Sequence, residues 1–371
     1  MSETVFALSR PGHHVRAFGS RTQFTSIDAA RAALATGVCD HIVGALPFDL
    51  GQPAALIGPE RVERDLHPWD PPRTQLPVVD VTGAEPAPDD HTRRVRDALE
   101  LLEDPASALV KVVLARTLHL HARTPIVPTD LLARLASADP GRNGFLADLT
   151  PAGPRYRGHH LIGSSPEVLV ERSGSTVRCH PLAGSAARVA DPAADHDNGQ
   201  MLAASTKDHQ EHAFVVDSLA SALAPLCSRL EVPAAPTLSQ TPALWHLGTP
   251  IEGTLRDTTL TALDLATILH PTPAVCGTPT ADAKDYILTH ESDRGFYAGT
   301  VGWCDASGDG EWMVSIRCAE LEADRKTLHA MAGGGIVAGS DAELELAETT
   351  TKFRTILSAL GIATSGAGPR A

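Results

Sequence analysis

The sequence has no run of about 18 apolar residues, the length a helix needs to cross a bilayer, so no membrane span is expected among its 371 residues. Its start, MSETVFALSRPG, has neither the basic segment nor the apolar stretch of a secretory signal, which predicts a cytoplasmic protein. Basic residues are in deficit: 31 Lys+Arg stand against 45 Asp+Glu, a formal charge of −14. That balance leaves no footprint for nucleic acid or an anionic membrane, and an anionic ligand must be held by a local cluster. The six cysteines (Cys39, Cys179, Cys227, Cys276, Cys304 and Cys318) include no C-x-x-C pair. Their scatter argues against a zinc ribbon and a disulfide framework and predicts buried free thiols. No internal repeat is visible. What remains is an ordinary globular composition, 43% hydrophobic and 20% charged, long enough for two or three domains or one large α+β domain.

Residues 1 to about 66 alternate short β-like runs (Val5 to Leu8, His14 to Phe18, Cys39 to Leu46) with a helical piece from Ile27 to Thr36. Six prolines between His67 and Pro88 predict an irregular connector. Val95, Ala98, Leu99 and Leu102 then recur at helical spacing, and Asp104-Pro105 ends that helix. The run from Leu109 to Arg116 reads as a strand buried on both faces, with Lys111 as its anomaly. A lysine so placed either snorkels to the sheet edge or is desolvated, and desolvation would make it a candidate base. A short helix over residues 129 to 138, capped by Thr129 or Asp130, and strands over 143 to 150 and 156 to 162 follow.

Ser164-Ser165-Pro166 forces an extended or turned backbone and sets Glu167 at the first position of a strand, sharing a face with Leu169. Lys207 begins a helix on which Glu211 shares a face with Val215 and Leu219, so its carboxylate lies at a core's rim. There it either favours the helix N-terminus or holds a cation. Two prolines around Thr272 make the segment His270 to Gly277 a rigid loop. Trp312 to Ala319 alternates as one strand carrying Arg317, and Gly333, Gly334 and Gly335 after it could bring backbone N–H groups close to an anion. The last helix has a capping box, Ser340-x-x-Glu343, a stop at Gly361, and a buried face of Leu346, Phe353, Ile356, Leu357 and Leu360. Glu345, Glu348 and Lys352 project from one stripe of it, where Glu348 and Lys352 could simply form an exposed i, i+4 pair.

Taken together, K-V-V-L-A-R, G-S-S-P-E, P-L-A-G-S, K-D-x-x-E-H, L-W-H-L, H-P-T-P-A-V-C-G, R-G-F-Y-A-G, the I-R-C-A strand, A-G-G-G-I-V and a final E-x-x-E-x-x-x-K resemble the chorismate-utilising enzymes, specifically the isochorismate synthases. The match runs in order from about Val110 to Lys352. The resemblance implies one large α+β domain of antiparallel sheets packed together with helices outside. Residues 1–88 would be a scaffold part of the same fold with its connector at 67–88, residues 89–361 the catalytic region and 362–371 a flexible tail. It also implies a magnesium-dependent isomerisation, in which water adds at C2 of chorismate and the C4 hydroxyl departs.

By that similarity Lys111 is the base for water and Glu167 the acid for the leaving hydroxyl. Glu211 and Glu348, with Glu345 directly or through water, would hold Mg²⁺. Arg317, Tyr297, Lys352 and the amides of Gly333 to Gly335 would grip carboxylates, with Gly184 and Ser185 alongside and His246 near the reacting hydroxyls. Ala183 stands where aminodeoxychorismate synthases carry a lysine nucleophile. Ala274, followed by Val275, stands where salicylate and anthranilate synthases have a threonine. Both departures favour water as nucleophile and release of isochorismate, with salicylate synthase as the alternative. No glutaminase partner is implied and a monomer is expected. The destination of the product, a siderophore, menaquinone, salicylate or an antibiotic, stays open.

Overall fold

The computed structural model describes residues 2–363 apart from 68 and 73; residues 364–371, most of the expected tail, lie outside the described residues. Two large antiparallel sheets, of ten and nine strands, form the centre, with a small three-stranded sheet beside them. The first residues enter both large sheets. Strand Thr4–Arg10 pairs with Gly144–Asp148 in the ten-stranded sheet, and His41–Leu46 pairs with Thr300–Asp305 in the nine-stranded one. Phe6, Phe145, Ile42, Trp303 and Trp312 belong to one continuous core built by both sheets. The other face of the ten-stranded sheet is covered by the helices Pro128–Ala138 and Arg354–Ala359, through Leu131, Leu135, Phe353 and Ile356. All six cysteines are buried free thiols, as their spacing predicts. No described helix is long and apolar enough to cross a membrane.

Several helices begin and end as their sequences dictate. Thr261 and Asp264 form a reciprocal capping box at the helix Ala262–Leu269. Ser205 caps the helix Thr206–Leu223, whose buried residues His212, Val215 and Leu219 set its inward face. Elsewhere the local rules lose to long-range packing. The helix Pro128–Ala138 opens with Pro128 and no side-chain cap, so Thr129 and Asp130 lie inside it. The last helix is capped by Asp341, which accepts from the amides of Glu343 and Leu344, while Ser340 Oγ accepts from Val337 N instead. It breaks at Phe353, and its first half buries Ala342, Glu345 and Thr349, leaving Leu346 half-buried. The connector ends in a strand, Val79–Glu85, paired with Lys111–Ala122.

The expected strand from Trp312 to Ala319 is two. Gly310–Val314 belongs to the nine-stranded sheet and Cys318–Leu321 to the ten-stranded one, so the chain crosses between sheets at Ser315 to Arg317. Arg317 makes the crossing at φ 52°, a left-handed conformation uncommon for a residue with a side chain. The three glycines also lie within a strand, Thr327–Val337, rather than after one.

Candidate active site

The floor of the site is an antiparallel pair. Strand Lys111–Ala122 runs against Thr327–Val337, with Val337 opposite Lys111, Gly335 opposite Val113 and Gly333 opposite Ala115. The neighbour on the far side, Cys318–Leu321, pairs only as far as Met331, so the stretch Gly333 to Gly335 has one edge without a partner strand. Alternation puts Gly333 and Gly335 on one face. A Cβ on Gly335 would collide with the Glu211 carboxylate and press on the Lys111 side chain, and one on Gly333 would lie 3.0 Å from the Tyr297 hydroxyl. Gly334 turns the other way, where a Cβ would meet Glu345 Oε2 at 3.1 Å. Glycine here is therefore a packing requirement, since it opens space for carboxylates on both faces.

Lys111 does not snorkel. It is 0% exposed, and its Nζ lies 2.9 Å from Glu211 Oε1, delivered by the helix Thr206–Leu223. Two further lysine–carboxylate pairs sit alongside. Lys207 Nζ is 3.1 Å from Glu345 Oε1, and Lys352 Nζ is 2.7 Å from Glu348 Oε1 while also donating to Gly333 O at 2.8 Å. Burial pushes the Glu345 carboxyl up to about 7, helped by the charge of Glu348 and opposed by Lys207. Burial works against Glu348 too, but the Lys352 ammonium and the Ser185 hydroxyl, which donates to Glu348 Oε1 at 2.8 Å, hold it down at about 2.

The three carboxylates offer the all-oxygen donor set that suits a hard divalent cation, and Glu345 Oε2 is buried without a hydrogen-bond partner among the described residues. Among the described residues no three His, Cys, Asp or Glu side chains are gathered closely enough to hold a metal as they stand. Each carboxylate is instead turned onto a lysine. The residues fit Mg²⁺ by chemistry, provided the carboxylates exchange these ammonium partners for it.

Facing this floor is Glu167, immediately before strand Val168–Ser173 rather than its first residue; its carbonyl accepts from Val314 N at 3.1 Å. The carboxyl is 2% exposed, and burial pushes it up to about 8, against a hydrogen bond from the Leu182 backbone and the charges of Lys111, Arg317 and Lys352. It is therefore protonated at neutral pH. Arg317 is buried beside it, with its charge disfavoured by desolvation and supported by the Glu348 carboxylate. Burial raises the Tyr297 phenol, which keeps its proton. His246 stands opposite Ser185 in the three-stranded sheet. Burial, then Arg317 and Lys352, push its imidazole down to about 3, so it is neutral, and its Nε2 has no partner among the described residues.

These groups surround a cavity of about 640 Å³, measured with its open mouth. Of the residues singled out in the sequence, Glu167, Gly184, Ser185, Glu211, His246, Ala274, Tyr297, Arg317, Gly333, Gly335, Glu348 and Lys352 line it. Lys111, Glu345 and Gly334 lie just behind the wall. In the sequence Lys207 marks only a helix start, although its i, i+4 spacing to Glu211 puts both on one face. Arg294, within R-G-F-Y, is a further residue of the site. Buried, it donates to Val275 O at 2.9 Å and Val113 O at 2.7 Å, pinning the loop that carries Ala274 to the floor strand. Nothing in the sequence distinguished it from a surface arginine.

The chorismate binding enzyme family matches residues 63–361. A Mycobacterium tuberculosis protein bearing an isochorismate synthase name is 52% identical over 360 residues, covering 97% of each chain. The isochorismate synthase DhbC of Bacillus subtilis is 44% identical over 330 residues, 86% of this chain and 81% of its own. A Bacillus anthracis crystal structure named for a 2,3-dihydroxybenzoate-specific isochorismate synthase superposes with a TM-score of 0.88 at 37% identity, covering 98% of this chain and 97% of that one.

Proposed function

We propose that this chain, which belongs to the chorismate-binding enzymes, converts chorismate to isochorismate by adding water at C2 and losing the hydroxyl at C4. The observation that carries the reading is Glu167: a buried carboxyl held protonated near neutral pH, in the same cavity as a buried arginine that can take a carboxylate. Hydroxide is a poor leaving group, and a proton delivered as the C–O bond breaks converts it to water. Glu167 supplies that proton. In its neutral amine form, with Nζ turned from Glu211 towards the cavity, Lys111 is the base that takes a proton from the attacking water. The two groups exchange roles in the reverse direction.

Arg317, with Lys352 and the Tyr297 hydroxyl, grips the substrate's carboxylates, because a guanidinium presents paired donors to a planar carboxylate. Glu211, Glu345 and Glu348 would hold Mg²⁺, which neutralises a ring carboxylate and orients the substrate when bound. Neutral His246 offers its free Nε2 to a substrate hydroxyl without adding charge. Ala274 presents a methyl group rather than a hydroxyl to the cavity, which supports release of isochorismate over further elimination to salicylate. Incubating the purified protein with chorismate and Mg²⁺ and separating the products by chromatography tests the reading. Isochorismate alone is expected, and stoichiometric pyruvate with fluorescent salicylate would overturn it.

A further inference from the structure

A second cleft of about 750 Å³, measured with its open mouth, lies behind the reaction cavity. Its walls come from the helices Pro128–Ala138 and Arg354–Ala359 and from the turn between strands Thr237–Gln240 and Leu244–Gly248. The two spaces share Pro166 and Arg317 and no other residue, so Arg317 stands in the partition between them.

The charges around this cleft are unequal. Arg188 is neutralised by Asp195 at 2.8 Å and stacks on Trp245. Asp139 is engaged inside its own loop, accepting from Gly141 N at 2.7 Å and from the Asn143 side chain at 3.1 Å. That leaves two guanidinium groups without a carboxylate partner among the described residues, Arg317 in the partition and half-buried Arg354 at the rim. Thr241, Pro242, Thr355 and Ser358 complete the rim with neutral groups. In a chain of formal charge −14 most of the surface repels an anion, so a route lined by two unpaired cations stands out.

We propose that this cleft is a staging site for a carboxylate-bearing ligand, in which Arg354 captures the anion from solvent and passes it to Arg317. On the functional reading above, that ligand is the dianionic substrate. Arg354 is then a capture residue and takes no part in the chemistry. Local fields of this kind raise association rates by roughly 10- to 1000-fold and are screened by salt.

The test compares the wild-type protein with Arg354→Gln and Arg354→Lys over a range of ionic strength. In low salt Arg354→Gln is expected to lower kcat/KM for chorismate about 5- to 10-fold with kcat unchanged, and the gap should close in high salt. Arg354→Lys keeps the charge and should recover most of the loss, which a purely structural role would not give. Stopped-flow tryptophan fluorescence, with Trp245 near the rim as reporter, reads association of isophthalate, an unreactive dicarboxylate. Slower association in Arg354→Gln supports the staging site even if the protein turns over no chorismate, an outcome that would sink the functional reading alone. Unchanged association and kcat/KM, or a fall in kcat that persists at every salt concentration, overturns the staging site.

Discussion

Replacing Glu167 by glutamine separates the chemistry of this site from its stability. Glutamine keeps the shape of the protonated acid but has no proton to give. Burial holds the wild-type carboxyl at about 8 instead of 4.5, so across that window the native state keeps a proton that the unfolded chain sheds. The stability due to this group is thus fully present below pH 4.5 and lost as pH rises through 8. At 1.36 kcal/mol per pH unit, the span from 4.5 to about 8 amounts to ~5 kcal/mol. Urea titrations of both proteins at each pH give the difference directly, and the other ionisable groups cancel in it. Relative to wild type, Glu167→Gln should therefore gain about 5 kcal/mol between pH 4.5 and pH 9, while its turnover falls by roughly 10²- to 10⁴-fold below pH 8. The wild-type rate itself should decline above pH 8 as the acid ionises. A stability difference flat with pH, or a glutamine variant that turns over at the wild-type rate, would refute the assignment of Glu167 as a buried neutral acid.

Glu348→Gln leaves Lys352 without its carboxylate and removes one candidate ligand; calorimetry with Mg²⁺ alone should show binding weakened by at least about 10-fold, and unchanged affinity would exclude Glu348 as a ligand. Lys111→Ala should bind chorismate with near wild-type affinity yet lose roughly 10²- to 10⁴-fold in rate, whereas parallel loss of binding would make Lys111 a substrate-gripping residue.

Much of the site was legible because its residues sit at local landmarks: Glu167 after Pro166, Glu211 in the first turns of a helix, Glu348 and Lys352 one turn apart. Their partners were not. Lys111 and Glu211 are a hundred positions apart and meet only because Gly335 makes room between two strands and a helix. The exposed Glu348–Lys352 pair allowed by the sequence is in fact part of the cavity wall, tied to Ser185 and Gly333. Periodicity misread Arg317, since apolar alternation continues across residues 312 to 319 although the chain leaves one sheet for the other there. It also favoured Leu346 over Glu345 as a buried residue, because hydrophobicity alone gives no reason to bury a carboxylate that a distant lysine compensates.

Turnover in ¹⁸O-labelled water tests the central claim most directly. With chorismate and Mg²⁺, mass spectrometry should find isochorismate carrying one label, on the C2 hydroxyl, with pyruvate and salicylate at trace level and no change on adding ammonium. Unlabelled isochorismate would contradict water as the nucleophile activated by Lys111, and anthranilate formed with ammonium would contradict the proposed reaction altogether.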